Sequence, residues 1–182
     1  SGTGKFVVGQ NATLQLTAAH ADGLTADSDG TVDVTALEST LGANLSNITA
    51  TTVTAALNST GNKELTASAN LGDFVVTISG TGTVTANASA TLPSGTGKFV
   101  VGQNATLQLT ATHANGLTAD STGTVNVTAL HSKTDADLSL ISTNGATITL
   151  SSPTSLTDAA KLPNPANESA VIITGSNTLT LG

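Results

Sequence analysis

The chain has 182 residues, 38% apolar and only 9% charged, with a net charge of −7. Its five Lys and Arg are scattered, so it lacks the cationic clusters that nucleic-acid backbones require, and nucleic-acid binding is not expected. Without Cys there are no disulfides and no thiolate metal sites, and no apolar run is long enough to insert in a membrane as a helix.

The apolar residues are of an unusual kind. Trp, Tyr and Met are absent, and the only aromatics are Phe6, Phe74 and Phe99. Compact domains lean on aromatic bulk. A core of Val, Leu, Ile, Thr and Ala suits a thin structure whose side chains reach only a short way inward.

In chain order, the first apolar run is FVV at Phe6, followed by TLQLTA from Thr13, LTA from Leu24 and TVDVTAL from Thr31. Next come NITA from Asn47, TVTAAL from Thr52, FVVTI from Phe74 and TVTANA from Thr83. Each is short, rich in β-branched residues and alternating, which is the strand pattern. Turn sequences such as Gly-Gln-Asn, Asp-Ser-Asp-Gly and Ser-Gly-Thr-Gly separate them. The opening SGTGKFVVGQNATLQLTA then returns at Ser94, an offset of 93 residues, and 38 of the first 48 positions are identical in the second copy. The similarity fades after Ile141. LTDAAKL (Leu156–Leu162) predicts a turn or two of helix stopped by Pro163 and Pro165. The chain closes on VIITGSNTLTLG, a further strand pair.

This divides the chain into a first unit over 1–93, a second over 94–150 that diverges after 141, and a variant coil or junction over 151–182. Strand–turn–strand modules that resemble one another within a longer repeat predict an all-β fold, a parallel β-solenoid in which each module is one coil. The alternative is a pair of tandem immunoglobulin-like sandwiches of 93 residues each.

Several patterns carry possible chemistry. Asp22, Asp27, Asp29 and Asp33 supply hard oxygen ligands around a Gly turn, as calcium requires. The second copy has Asn115, Thr122 and Asn126 where the first has Asp22, Asp29 and Asp33, keeping only Asp120. The same residues serve as turn caps, and no other cofactor is expected. His20, His113 and His131 lack the surrounding motif of a catalytic triad and read as loop histidines. The SGTGK at Ser1 and Ser94 lacks the spacing of a phosphate loop and leads into a strand. Asn11, Asn44, Asn47, Asn58, Asn87, Asn104, Asn126 and Asn167 stand in Asn-x-Ser/Thr triplets, which are glycan acceptors where the source modifies such sites. Thr-x-Thr pairs at Thr52, Thr83, Thr147 and Thr178 would form ladders on a flat face, able to stabilise a sheet or order water as an ice-binding surface does.

The phrases LSNITATTVTAALNSTGN (Leu45–Asn62), LGDFVVTISGTGTVTA (Leu71–Ala86) and GTVDVTAL (Gly30–Leu37) resemble the repeats of giant bacterial β-strand repeat proteins, the extended regions of secreted adhesins and surface-layer proteins. The resemblance spans about the first 150 residues. It implies an exported, surface-associated polypeptide whose repeats act as spacers, lattice elements or fibre walls; no functional residue transfers with it. The expectation is therefore a non-enzymatic structural segment of an extracellular surface protein, a stiff spacer, fibre or lattice element in adhesion or in surface-layer or biofilm assembly. Its expected partners are copies of itself and other cell-surface or matrix components. A carbohydrate- or surface-binding module is the alternative, against which the lack of Trp and Tyr platforms counts.

Overall fold

The structure, a computed structural model, describes residues 5–149, 151–163 and 171–181. All strand pairs in it are parallel, and they stack as a β-solenoid of about seven turns. Immunoglobulin-like sandwiches pair their strands antiparallel, so that alternative is set aside.

The coils follow one another along the chain. Coil A holds the extended segment around Phe6, strand β1 (Thr13–Thr17) and a single helical turn, α1 (Ala18–Ala21). Coil B holds β2 (Ala26–Thr35) and a 3-10 turn at Leu37–Ser39. Coil C holds β3 (Ile48–Asn58) and β4 (Lys63–Leu65), and coil D holds β5 (Val75–Ser79) and β6 (Thr83–Ala86). The second copy begins coil E, with β7 (Lys98–Val101), β8 (Thr106–Thr110) and α2 (Ala111–Ala114). Coil F holds β9 (Ala119–Thr128) and a 3-10 turn at Leu130–Ser132. Coil G holds β10 (Ile141–Thr149) and β11 (Thr154–Ser155); coil H holds β12 (Val171–Thr174) and β13 (Leu179–Thr180). Equivalent positions on successive coils lie from 18 residues apart (Thr13 and Thr31) to 26 apart (Asn44 and Asn70).

The alternation of the sequence becomes the inside and outside of this tube. Leu16, Val34, Ala55, Val76 and Phe99 form one inward column across five coils. Val84, Leu107 and Val125 form another. Like side chains stack on like, and except for Leu16, which lies near the open end, every residue of both columns is buried. The interior has room for only a few large groups, and Phe74 and Phe99 fill it where coil D meets coil E.

The ladders are not straight columns from end to end. Thr54 and Ala55 of β3 pair with Asp33 and Val34 on one side, and with Val75 and Val76 on the other. The second side of coils A and B therefore continues into the first side of coils D and E. The ladder through Phe6, Ala26 and Ile48 ends at this step. The same step recurs at β10, where Ala146–Thr149 pair with both β9 and β12. The pairing β3–β5 with β4–β6 is repeated as β10–β12 with β11–β13, although the sequences there have diverged.

Two local expectations change. Leu156–Leu162 forms no helix: Ala160 N–H donates to Thr157 C=O in a single turn, and Lys161 bridges Asp137 on the neighbouring coil. Inter-coil pairing on this side outweighs a short helical preference. Helical turns appear instead at Ala18–Ala21 and Ala111–Ala114, where small Ala side chains let the chain round a tight corner with both terminal residues buried.

Corner glycines are dictated by the stacking. A Cβ on Gly30 would lie 2.5 Å from the carbonyl oxygens of both Gly9 and Ala12 on the coil before. On the equivalent Gly123 it would lie 2.3 Å from Gly102 O and 2.6 Å from Ala105 O. Backbone passes over backbone at this corner, which leaves no room for a side chain.

Candidate functional site: the outward ladders and corners

The four aspartates do not converge. Asp22 caps the α1 corner, its Oδ1 accepting the Asn44 N–H at 2.8 Å. Asp27 pairs with Lys5 at 2.9 Å. Asp33 lies between coils, accepting from Gln15 Nε2 at 2.9 Å and from the Thr54 hydroxyl at 2.8 Å. Asp29 sits at the bulge in β2, where its backbone carbonyl accepts the Thr51 hydroxyl at 3.0 Å. Among the described residues, no three His, Cys, Asp or Glu side chains are grouped so as to hold a metal ion.

Their counterparts in the second copy have matching structural roles. Asn115 Oδ1 accepts the Asp137 N–H at 2.8 Å, as Asp22 does for Asn44. Lys98 pairs with Asp120 as Lys5 does with Asp27. Asn126 donates to Gln108 Oε1 at 3.4 Å and accepts the Thr149 hydroxyl at 2.9 Å. Asp22 and Asn115 exchange because the position uses only a carbonyl-type oxygen, whereas at Asp33 and Asn126 the oxygen keeps its threonine hydroxyl and the bond to the neighbouring glutamine reverses direction.

The Asn-x-Ser/Thr triplets have a structural cause that the sequence alone did not disclose. Asn44 Oδ1 accepts both the N–H and the hydroxyl of Ser46, at 3.2 and 2.7 Å. Asn58 does the same with Thr60, at 2.9 and 2.7 Å. Asn87 accepts the Ser89 N–H at 3.1 Å. Asp137 closes the same turn on Ser139, at 3.1 and 2.6 Å, without being a glycosylation triplet. The motif here is an Asx turn at the coil corners. Asn11 and Asn104 are different: both are exposed and take the left-handed conformation, φ 65° and 70°, at turn tips. Asn167 lies outside the described residues.

Asp137 is the most strongly perturbed acid. The Lys161 ammonium, hydrogen-bonded at 2.7 Å, together with the Ser139 hydroxyl and N–H, holds its carboxyl down at about 2. Lys133 lowers Asp135 in the same way.

The histidines meet hydroxyls. His20 Nδ1 lies 2.9 Å from the Thr17 hydroxyl and His131 Nδ1 lies 3.4 Å from Ser151. His113 is half-buried rather than a solvent-facing loop residue, and its Nδ1 is buried without a hydrogen-bond partner. Among the described residues none of the three is hydrogen-bonded to a carboxylate, the contact that orients a catalytic base.

Of the two SGTGK segments, residues 1–4 lie outside the described part. In the other, a Cβ on Gly95 would come within 2.7 Å of Asp73 Oδ1, and Gly97 N–H donates to Ser94 O at 2.7 Å. The segment is a tight turn packed on a carboxylate, not a cradle for phosphate.

The threonines align in short columns. Thr13, Thr31 and Thr52 form one, and Thr83, Thr106 and Thr124 another. The neighbouring columns read Gln15–Asp33–Thr54 and Thr85–Gln108–Asn126, so no flat double file of threonine forms there. An open groove of about 230 Å³ follows the step in β3, lined by Ile48–Val53 with Asp73, Val75 and Thr96. It offers hydroxyls, backbone and one carboxylate.

Comparison of the chain with models of protein families, with curated proteins and with solved structures returns no match.

Proposed function

We propose that the chain is a structural repeat segment of a large secreted bacterial surface protein, a stiff spacer, fibre or lattice element. The observation that carries this reading is the continuity of the coil stack. From coil B to coil G each coil buries its inner face on its neighbours, and backbone hydrogen bonds between coils run along the axis of the tube. Length then scales with repeat number, and load along the axis is shared by parallel ladders.

The outward residues support the same reading. Acidic side chains, amides and threonines are engaged in corner turns and inter-coil contacts, so the surface chemistry serves the stack. The resemblance to giant β-strand repeat proteins adds an extracellular, cell-surface setting, with copies of the chain and matrix components as partners and no catalytic role. An antiserum raised against the chain tests this. Applied to intact cells of the source organism, it should decorate filaments or a layer on the outer surface. Labelling confined to the cytoplasm of permeabilised cells would overturn it, and a specific hit on a glycan array would replace it with the carbohydrate-binding alternative.

A further inference from the structure

The step in β3 leaves a strand edge open in the middle of the stack, with described coils before and after it along the axis. Coil C spends ten residues between the Asn44 corner and Thr54, whereas coil D spends five between Asn70, which lies on Asn44, and Val75, which lies on Thr54. Coil D takes the short path by crossing at Gly72, where a Cβ would lie 3.2 Å from the Ser46 Cα. The first half of β3 is therefore paired on one side only. Ile48–Ala50 and Thr52–Ala55 lie on β2, but β5 begins its pairing at Thr54.

The direction of the backbone groups follows from one bond. Ala26 N–H donates to Asn47 O, so in a parallel ladder Asn47 and Thr49 turn their groups to β2, and the N–H and C=O of Ala50 turn to the open side. Proteins usually blunt such edges with Lys, Pro or a covering segment. Residues 48–53 contain neither Lys nor Pro and are rich in strand formers. The groove of about 230 Å³ along this edge holds one charged side chain, Asp73. Its carboxylate is exposed and, among the described residues, has no hydrogen-bond or ion-pair partner. Elsewhere in the stack an aspartate meets a lysine from the adjacent coil: Asp27 with Lys5, Asp120 with Lys98 and Asp137 with Lys161. Asp73 offers the same group with the lysine missing.

We propose that the edge at Ile48–Val53 takes up an extended segment of a partner protein as an added strand, with a Lys or Arg of that segment on Asp73. The backbone of Ala50 supplies the pairing, and Asp73 selects by charge. A second copy of this chain is a poorer occupant. Self-pairing about a two-fold axis brings two Asp73 carboxylates to one seam, between chains that each carry −7. The docking goes beyond the spacer role, since it makes the stack a carrier for a bound partner.

A dye-labelled acetylated peptide, Gly-Thr-Val-Lys-Val-Thr-Gly, titrated with the full chain and followed by fluorescence anisotropy, tests the docking. Binding should saturate, and Glu in place of the peptide's Lys should weaken it about fivefold or more. Asp73→Asn should shrink that preference to about twofold or less. Ala50→Pro removes the N–H on the open side, where Pro breaks no bond to β2. It should weaken binding of the Lys peptide about tenfold or more, with circular dichroism confirming the fold. Amide exchange by NMR gives a second measurement on the parent chain. Bound peptide should slow exchange at Ala50 and leave Thr49, already bonded to β2, unchanged. Binding that does not saturate, Lys and Glu peptides that bind alike, or exchange at Ala50 unmoved by the peptide would each overturn the docking. Dimers of the chain that form without peptide and are lost in Ala50→Pro would overturn the choice of a foreign segment. Surface labelling by the antiserum would be untouched by these failures. Conversely, cytoplasmic labelling would overturn the surface role even if the peptide binds.

Discussion

Phe6 and Phe99 stand at the same place in two copies of one sequence, yet Phe99 is sealed between coils and Phe6 is half open to solvent. The side chain is the same, and only the neighbour differs. Phe99 gains its burial from Val76 on coil D, and Phe6 has no described coil in that position.

The two positions should therefore respond differently to truncation. Phe99→Ala opens a cavity in a fully packed interior and should cost about 3–5 kcal/mol. Phe6→Ala removes a half-exposed ring and should cost about 1 kcal/mol. Urea unfolding of dilute chain, followed by circular dichroism, measures both. Equal losses would show that coil A is covered under those conditions.

Gly123→Ala forces a Cβ into contact with Gly102 O and Ala105 O, both backbone atoms. The coils must shift apart at that corner, at a cost of about 1–3 kcal/mol. Gly23→Ala places its Cβ in open space, but at φ +68°, so only backbone strain of about 1 kcal/mol is expected. Thermal melts of the two variants rank them, with Gly123→Ala the lower.

The Asp137–Lys161 pair sets a pH dependence. In the folded chain the Asp137 carboxyl sits at about 2, below the roughly 3.9 of an unfolded aspartate. Its contribution to stability is thus fully present above about pH 4 and is lost as the pH falls through 2. Carboxyl chemical shifts followed by NMR should show this low titration, and Lys161→Met should move it upward. A titration unchanged by Lys161→Met would contradict the pairing.

The separate engagement of Asp22, Asp27 and Asp33 predicts indifference to calcium in the first unit. The melting temperature should be the same in calcium and in chelator. Asp33→Asn, which installs the residue of the second copy, should be nearly neutral, within about 0.5 kcal/mol. A calcium-dependent rise in melting temperature, abolished by Asp33→Asn, would mean the aspartates gather around the ion.

Much of this was legible in the residues. Alternating runs such as TVDVTAL place Val32 and Val34 inward and leave Thr31, Asp33 and Thr35 between coils. The absence of Trp and Tyr fits a tube with little internal width. The Asp/Asn exchanges between copies already indicated a scaffold preserved without its charges. The Asn-x-Ser/Thr turns were visible as a motif, but their hydrogen bonding was not, because the same triplet arises in any chain rich in these residues.

The sequence by itself determined which residues face inward, where the chain turns, and that one unit recurs after 93 residues. Those properties depend on side-chain period and local turn chemistry, which act over a few neighbours. Only the tertiary structure decided which ladder each strand joins. The step at Thr54 and Ala55 of β3, repeated at Ala146–Thr149 of β10, is a choice of partners about twenty residues away in either direction. It follows from how complete coils pack on one another, and β3 and β10 reach the same arrangement with different residues. The contrast between Phe6 and Phe99 has the same origin, since burial belongs to a residue's neighbours in space and not to its place in the chain.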